Sequence, residues 1–177
     1  MDLQLIELDA DAIRTHLSDL RRILVDSVHD GAAIGFMAPL RDDEAEAFWL
    51  TTVLPEVEQR HRVMLGALWD RRIVGTVQLI LSMPPNQRHR CEIAKMIVHP
   101  MARRRGIGRR LMTKAMERAA ESGKSLITLD TRSGDRAEPL YASLGFQVAG
   151  IIPGYAWDPD GQARHATTYM FRHLDLV

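Results

Sequence analysis

Three kinds of residue in this chain stand where they could do chemistry. Glu92 is a carboxylate in the otherwise apolar run Cys91 to Val98. Strand alternation puts it on one nominal face with Ala94, Met96 and Val98, unless a bulge resets the phase. Asp130 closes a second apolar run, Leu126 to Leu129, at the carboxyl end of a strand, where α/β units commonly gather reactive groups. Either carboxylate could take a proton or hold an ammonium. Either could equally serve structure, Glu92 paired with Arg90 or Lys95, and Asp130 as a turn acceptor near Thr131 to Gly134. Between them lies Arg103-Arg104-Arg105-Gly106-Ile107-Gly108-Arg109-Arg110, after a strand and at the start of an amphipathic helix. Helix-terminal amides lack intrahelical acceptors, glycines clear the approach and arginines add charge, so this stretch reads as a phosphate site.

The phosphate belongs to neither of the commonest nucleotide motifs. The Gly-Lys-Ser/Thr ending of a P-loop is absent, and so is the three-glycine dinucleotide fingerprint with its acidic ribose partner. Another phosphate-bearing cofactor is expected.

The elements that must position these groups can be read along the chain. Leu3 to Leu8 reads as a strand, and Asp9 or Asp11 caps a helix carrying Ile13, Leu17, Leu20 and Leu24 on one face. Val28 to Leu40 is rich in glycine yet apolar, and reads either as a loop folded over a substrate or as plain packing. Acidic residues from Asp42 to Glu46 open a second helix that runs to about Gln59, with Pro55 as a kink point. Val63 to Trp69 and Ile73 to Leu81 form a hairpin, and Cys91 to Val98 a third strand. The helix through Leu111 and Ala119 ends at Gly123 and leads to the strand Leu126 to Leu129, a βαβ unit with parallel strands and a right-handed crossover. A short helix from Ala137 to Ser143 follows, then strands Phe146 to Ile152 and Thr167 to Leu174 around an excursion containing Pro153-Gly154. The expected fold is one α+β domain over residues 1–177, α/β/α layered around a mixed, twisted central sheet.

Composition narrows the partners. The 177 residues carry 23 Lys plus Arg against 23 Asp plus Glu, so no nucleic-acid partner is expected. The single cysteine, Cys91, excludes an internal disulfide and reads as a buried thiol, and the seven scattered histidines give no metal site. No apolar run reaches bilayer length, and the first residues lack a basic-then-apolar leader, so a cytoplasmic protein without membrane contact is expected.

Arg103-Arg104-Arg105-Gly106-Ile107-Gly108 resembles the Arg/Gln-x-x-Gly-x-Gly/Ala signature of the GNAT superfamily of acetyl-CoA-dependent N-acetyltransferases, and Leu140-Tyr141-Ala142-Ser143-Leu144-Gly145-Phe146 is similar to its second signature. The resemblance runs from about Val63 to the C-terminus. It implies acetyl-CoA as cofactor, with pyrophosphate on the backbone around Arg103, Arg104, Arg105, Gly106, Ile107, Gly108 and Arg109, and the pantetheine arm along Met96, Ile97 and Val98. It also implies Glu92 as general base and Tyr141 as the residue that donates to the leaving thiolate or binds the cofactor sulfur, while Asp130, by its place at the strand end, could share base duty. Many members carry an asparagine seven residues before the tyrosine; Gly134 stands there in this chain.

Within the superfamily the chain looks most like the tabtoxin-resistance acetyltransferases, which acetylate the amino group of a β-lactam toxin. The likeness lies in Val28 to Met37, Glu92 with Lys95-Met96, Leu129-Asp130-Thr131, and Pro153-Gly154-Tyr155 leading to Asp158-Pro159-Asp160-Gly161. It implies a small amine acceptor, with His29, Phe36, Trp49, Tyr155 and Trp157 as pocket residues, in a monomer or homodimer. Protein lysine or N-terminal acetylation is the alternative within the enzyme class, and an idle acyl-CoA sensor the alternative outside it.

Overall fold

A computed structural model describes residues 3–174. Its strands and helices follow the order β1 (Leu3–Glu7), α1 (Ala10–Thr15), α2 (Leu17–His29), α3 (Asp42–Ala47), α4 (Leu54–Glu58), β2 (Arg62–Trp69), β3 (Arg72–Ile80), β4 (Arg90–Val98), α5 (Ile107–Glu121), β5 (Leu126–Arg132), α6 (Ala137–Ser143), β6 (Gln147–Trp157) and β7 (Arg164–His173). The seven strands form one sheet in the order β1-β2-β3-β4-β5-β7-β6. Every pairing is antiparallel except β4 with β5, the two strands joined through α5. The expected βαβ unit and mixed sheet are both present.

Two apolar layers cover the two faces. One packs α5 and α6 through Leu111, Met112, Ala115 and Tyr141 onto Val77, Leu79, Cys91, Ile93, Ile127 and Leu129. The other packs the N-terminal helices through Ile13, Leu20, Leu24 and Trp49 onto Met64, Ile73 and Ile97. Because side chains alternate along a strand, residues between the first set point to the second face. Glu92, Thr128 and Asp130 therefore belong to the face of the N-terminal helices.

Several local differences from the expected elements have physical causes. The first helix breaks at His16 into α1 and α2, while Asp9 caps it by accepting from the Ala12 amide at 2.8 Å. The second helix widens into a π-helical stretch, Phe48–Val53, immediately before Pro55. Proline has no N–H to return to the preceding turn, and that turn loosens. At the other end of the chain β6 continues through Pro153-Gly154. The register there runs from Ile152↔Thr167 to Ala156↔His165, so three residues of β6 oppose one of β7. This bulge lies on an edge strand, where a proline removes no ladder bond. The turn of the hairpin falls at 158–163 instead.

Candidate active site

The N-terminus of α5 has the anatomy expected of an anion site. Arg104 and Gly106 take the left-handed conformation, with φ of 66° and 75°, and each lies next to residues of ordinary handedness. Alternation of this kind turns successive N–H groups to one side. Arg110 N donates to the Gly106 carbonyl at 3.1 Å, but the amides of Arg104 to Arg109 have no protein acceptor among the described residues. A Cβ on Gly106 would meet open space, whereas one on Gly108 would come within 3.2 Å of Leu140. The first turn of α5 holds no acidic residue. Six free amides at the positive end of a 15-residue helix fit a pyrophosphate.

The arginines divide by partner. Arg103 reaches back to the Val98 carbonyl at 3.1 Å and pairs with Asp30. Arg109 donates to Ser143 Oγ at 2.8 Å, and Arg110 to the Leu3 carbonyl at 2.8 Å. Arg105 stacks on Trp69, 4.5 Å from the ring centre. Arg103, Arg104 and Arg109 border the adjoining cavity; Arg105, expected among the cofactor residues, does not.

A bulge in β4 shapes the rest of the site. The register of β3 with β4 slips between Thr76 and Gln78, and Lys95 takes a φ of 48°. The extra residue reverses the alternation: Ile97 packs with the N-terminal helices, while Met96 and Val98 pack on the opposite core. Glu92 thus keeps Ala94 on its face but loses Met96 and Val98, which an unbroken strand would have placed beside it. Pairing of β4 with β5 ends at Glu92↔Thr128. β5 continues along β7 as far as Arg132, so the backbone of Ile93 to Val98 has no strand partner on its β5 side. This open edge leads towards the free amides of α5, and an extended amide-bearing arm fits it as an added strand would.

A cavity of about 1480 Å³ joins these features. Glu92, Asp130 and Tyr141 all line it, as do Met96, Ile97, Val98, Gly106, Ile107 and Gly108. Glu92 lies 3.6 Å from Arg90, whose Nη1 also donates to Thr128 at 3.1 Å. Asp130 is exposed and accepts from Thr167 Oγ1 at 3.1 Å. Tyr141 is 5% exposed and borders the cavity. Burial, reinforced by the charges of Asp135 and Asp130, pushes its phenol well above the ordinary 10.0, so it stays protonated as a donor. Cys91 is fully buried in the core beneath α5 and α6, and burial raises its thiol from 9.0 to about 11, which removes it as a nucleophile.

The loop of residues 30–40 roofs the cavity. Ala38 N donates to the Pro159 carbonyl at 2.8 Å, tying the roof to the β6–β7 turn, and Leu40 N donates to His29 Nε2 at 3.1 Å. Of the residues expected around an acceptor, Phe36, Tyr155 and Trp157 border the cavity. His29 and Trp49 do not. His29 spends its ring nitrogen on anchoring the loop, and Trp49 is fully buried among the N-terminal helices. Sequence reasoning missed Phe48, Arg62 and Arg132 as lining residues, and gave Lys95 no place in the pocket. A charged residue within an apolar strand, as Lys95 and Arg62 both are, was the signal available.

Among the described residues no group of three or more His, Cys, Asp or Glu could hold a metal ion, and no helix is long and apolar enough to cross a membrane.

Known proteins share this fold. A model of the acetyltransferase (GNAT) family matches residues 34–146. The chain is 31% identical over 156 residues to an uncharacterised N-acetyltransferase of Azospirillum brasilense encoded in the hisH-hisA intergenic region, covering 83% of this chain and 88% of that one. An N-acetyltransferase of Staphylococcus aureus Mu50 superposes with a TM-score of 0.81 at 16% identity, over 99% of this chain and 100% of the other. The protein yncA of Salmonella typhimurium, solved with its cofactor acetyl-CoA, superposes with a TM-score of 0.78 at 20% identity, over 99% and 95% of the two chains. The chain belongs to the GNAT family and is an acetyl-CoA-dependent N-acetyltransferase.

Proposed function

We propose that the enzyme acetylates a primary amine of a small molecule by direct attack within a ternary complex. The observation that carries this reading is the parting of β4 and β5 beyond Glu92 and Thr128, beneath a tethered roof formed by residues 30–40. The parting leaves an edge for the cofactor arm, and the roof borders a space of small-molecule size for the acceptor. The roof loop, and the Pro153 to Tyr155 bulge through Tyr155, border this space, and both segments resemble the tabtoxin-resistance enzymes. That supports an acceptor of comparable size, an amino β-lactam or an amino-acid-like compound.

Bound acetyl-CoA supplies the acetyl group and a thiolate leaving group. The protein's part is proton traffic and position. An alkylammonium with a pKa of roughly 10.4 costs on the order of 4 to 5 kcal/mol to neutralise at pH 7. Glu92 and Asp130, on one face of adjacent strands, hold the ammonium and take its proton, directly or through one water. Tyr141 supplies the proton needed at the sulfur: it borders the cavity and burial keeps its phenol neutral. The amides at Arg104 to Arg109 hold the pyrophosphate, and the open edge of Met96 to Val98 holds the arm. Cys91 takes no part, which supports direct attack over a covalent acyl-enzyme.

The test sets small amines, including amino β-lactams and amino acids, against lysine-bearing and free N-terminal peptides, with thiol release and product mass both followed. Small amines are expected to give at least a tenfold higher kcat/KM. A preference for peptides would replace the reading with protein acetylation.

A further inference from the structure

The sheet face that carries Glu92 also carries cations that no carboxylate pairs among the described residues. At the bulge Lys95 joins that face, its ammonium 5.8 Å from the ring centre of Phe36 and 5.7 Å from that of Phe48. Among the described residues no carboxylate lies within ion-pair distance of it. Arg62 stands in the same row, opposite Ile80, which in turn stands opposite Glu92. Arg62 Nη1 donates to Gln78 Oε1, but Arg62 Nε and Gln78 Nε2 are both buried without an acceptor. Lys95 and Arg62 line the cavity together with Glu92 and Asp130.

Holding two cations here is costly. Burial, and then repulsion from Arg62, lowers the pKa of Lys95, with Asp130 opposing from a distance. Burial lowers that of Arg62 too, opposed by Glu56. Two partly desolvated cations, one of them with a buried Nε that has no acceptor, make a cavity wall short of negative charge, which an anion would supply. The aromatic rings of Phe36 and Phe48 hold the ammonium by their faces and supply no formal charge to neutralise it. The cavity is accordingly bipolar, with carboxylates at Glu92 and Asp130 and cations at Lys95 and Arg62.

We propose that Lys95, assisted by Arg62, binds a carboxylate of the acceptor, so that the substrate is an amino acid or a close zwitterionic relative whose amine lies at the Glu92 and Asp130 end. This rests on the small-amine reading above and narrows it. Lys95 is then a specificity-determining residue.

The experiment uses the full chain and matched probes: α- and ω-amino acids with two to six carbons, and the primary amides of the same compounds. Binding to the CoA-loaded protein is measured by calorimetry and acetyl transfer by thiol release. The acids are expected to exceed their amides about tenfold or more in both affinity and kcat/KM. Lys95→Met should abolish that preference with KM for acetyl-CoA unchanged, and Lys95→Arg should keep most of it. Equal acids and amides in the wild type, or no binding by any acid, overturn the anion subsite. So does a preference that survives in folded Lys95→Met. If acids bind through Lys95 but no amine is acetylated, the subsite stands and the small-amine reading fails.

Discussion

Glu92 and Thr128 are the last residues paired between β4 and β5. The carboxylate of Glu92 thus sits at the fork where a paired sheet becomes an open edge. Asp130 lies two residues beyond Thr128 on the same face, and the two carboxylates flank the mouth of the fork from different strands. On the proposed reading, either carboxylate can take the one proton that an incoming ammonium must lose.

Glu92→Gln and Asp130→Asn each keep the size of the side chain and remove its basicity. The variant that loses the principal base should show about a 100-fold fall in kcat/KM near pH 7. The deficit should shrink towards pH 10, where an alkylamine is already largely neutral without help. A pH–rate profile of each variant against wild type decides which carboxylate acts, and wild-type profiles for both would remove carboxylate base catalysis from the account.

Tyr141→Phe removes one hydroxyl from a site otherwise packed by apolar atoms. Turnover is expected to fall about 100-fold or more while affinity for CoA changes less than about threefold. Because burial holds the phenol above its ordinary 10.0, no alkaline loss of activity below pH 10 should trace to Tyr141. Kinetics and calorimetry of the one variant separate the acid role from cofactor binding.

Gly106 is one of the two glycines of the phosphate loop, and the one whose left-handed φ of 75° is needed to turn the amides together. Gly106→Val places a β-branched residue in that region, at a cost of about 1 to 2 kcal/mol, and should weaken acetyl-CoA binding at least tenfold. An unchanged KM for acetyl-CoA in the folded variant would detach the loop from the pyrophosphate.

Cys91 gives a stability prediction with a definite sign. Its folded thiol is raised from 9.0 to about 11, so the folded state keeps a proton that the unfolded chain loses. The contribution is whole below pH 9 and is lost as pH rises towards 11. By pH 10 it amounts to about 1 kcal/mol. Cys91→Ala, itself destabilising by about 1 kcal/mol at pH 8 through lost packing, should lose that deficit by pH 10. Urea denaturation of both proteins at the two pH values reads the difference.

What could be read in advance follows the range of the forces involved. The loop that opens α5 was legible because it is local: glycines, arginines and a helix start fall within eight residues. The βαβ unit was legible for the same reason, its periodicities changing at Pro100 and Gly123. The bulge at Lys95 was not, since it arises from the slip against Thr76 and Gln78 on another strand. Without it, Glu92 could be placed on a face but its companions could not. Trp49 shows a related limit, because its helix presents aromatic residues both to the cavity, through Phe48, and to the core. Helical spacing alone does not say which neighbour will cover which ring. Pro153-Gly154 looked like the end of a strand and proved to be a bulge within one, tolerated because β6 is an edge.

The most direct test is a crystal structure of the enzyme with CoA and an amine substrate. The amine nitrogen is expected within about 3 Å of Glu92 or Asp130, or one water away. The sulfur should lie within hydrogen-bond reach of Tyr141, and the pantetheine arm along Met96 to Val98. An amine seated away from both carboxylates, or a sulfur that Tyr141 cannot reach, would contradict the account.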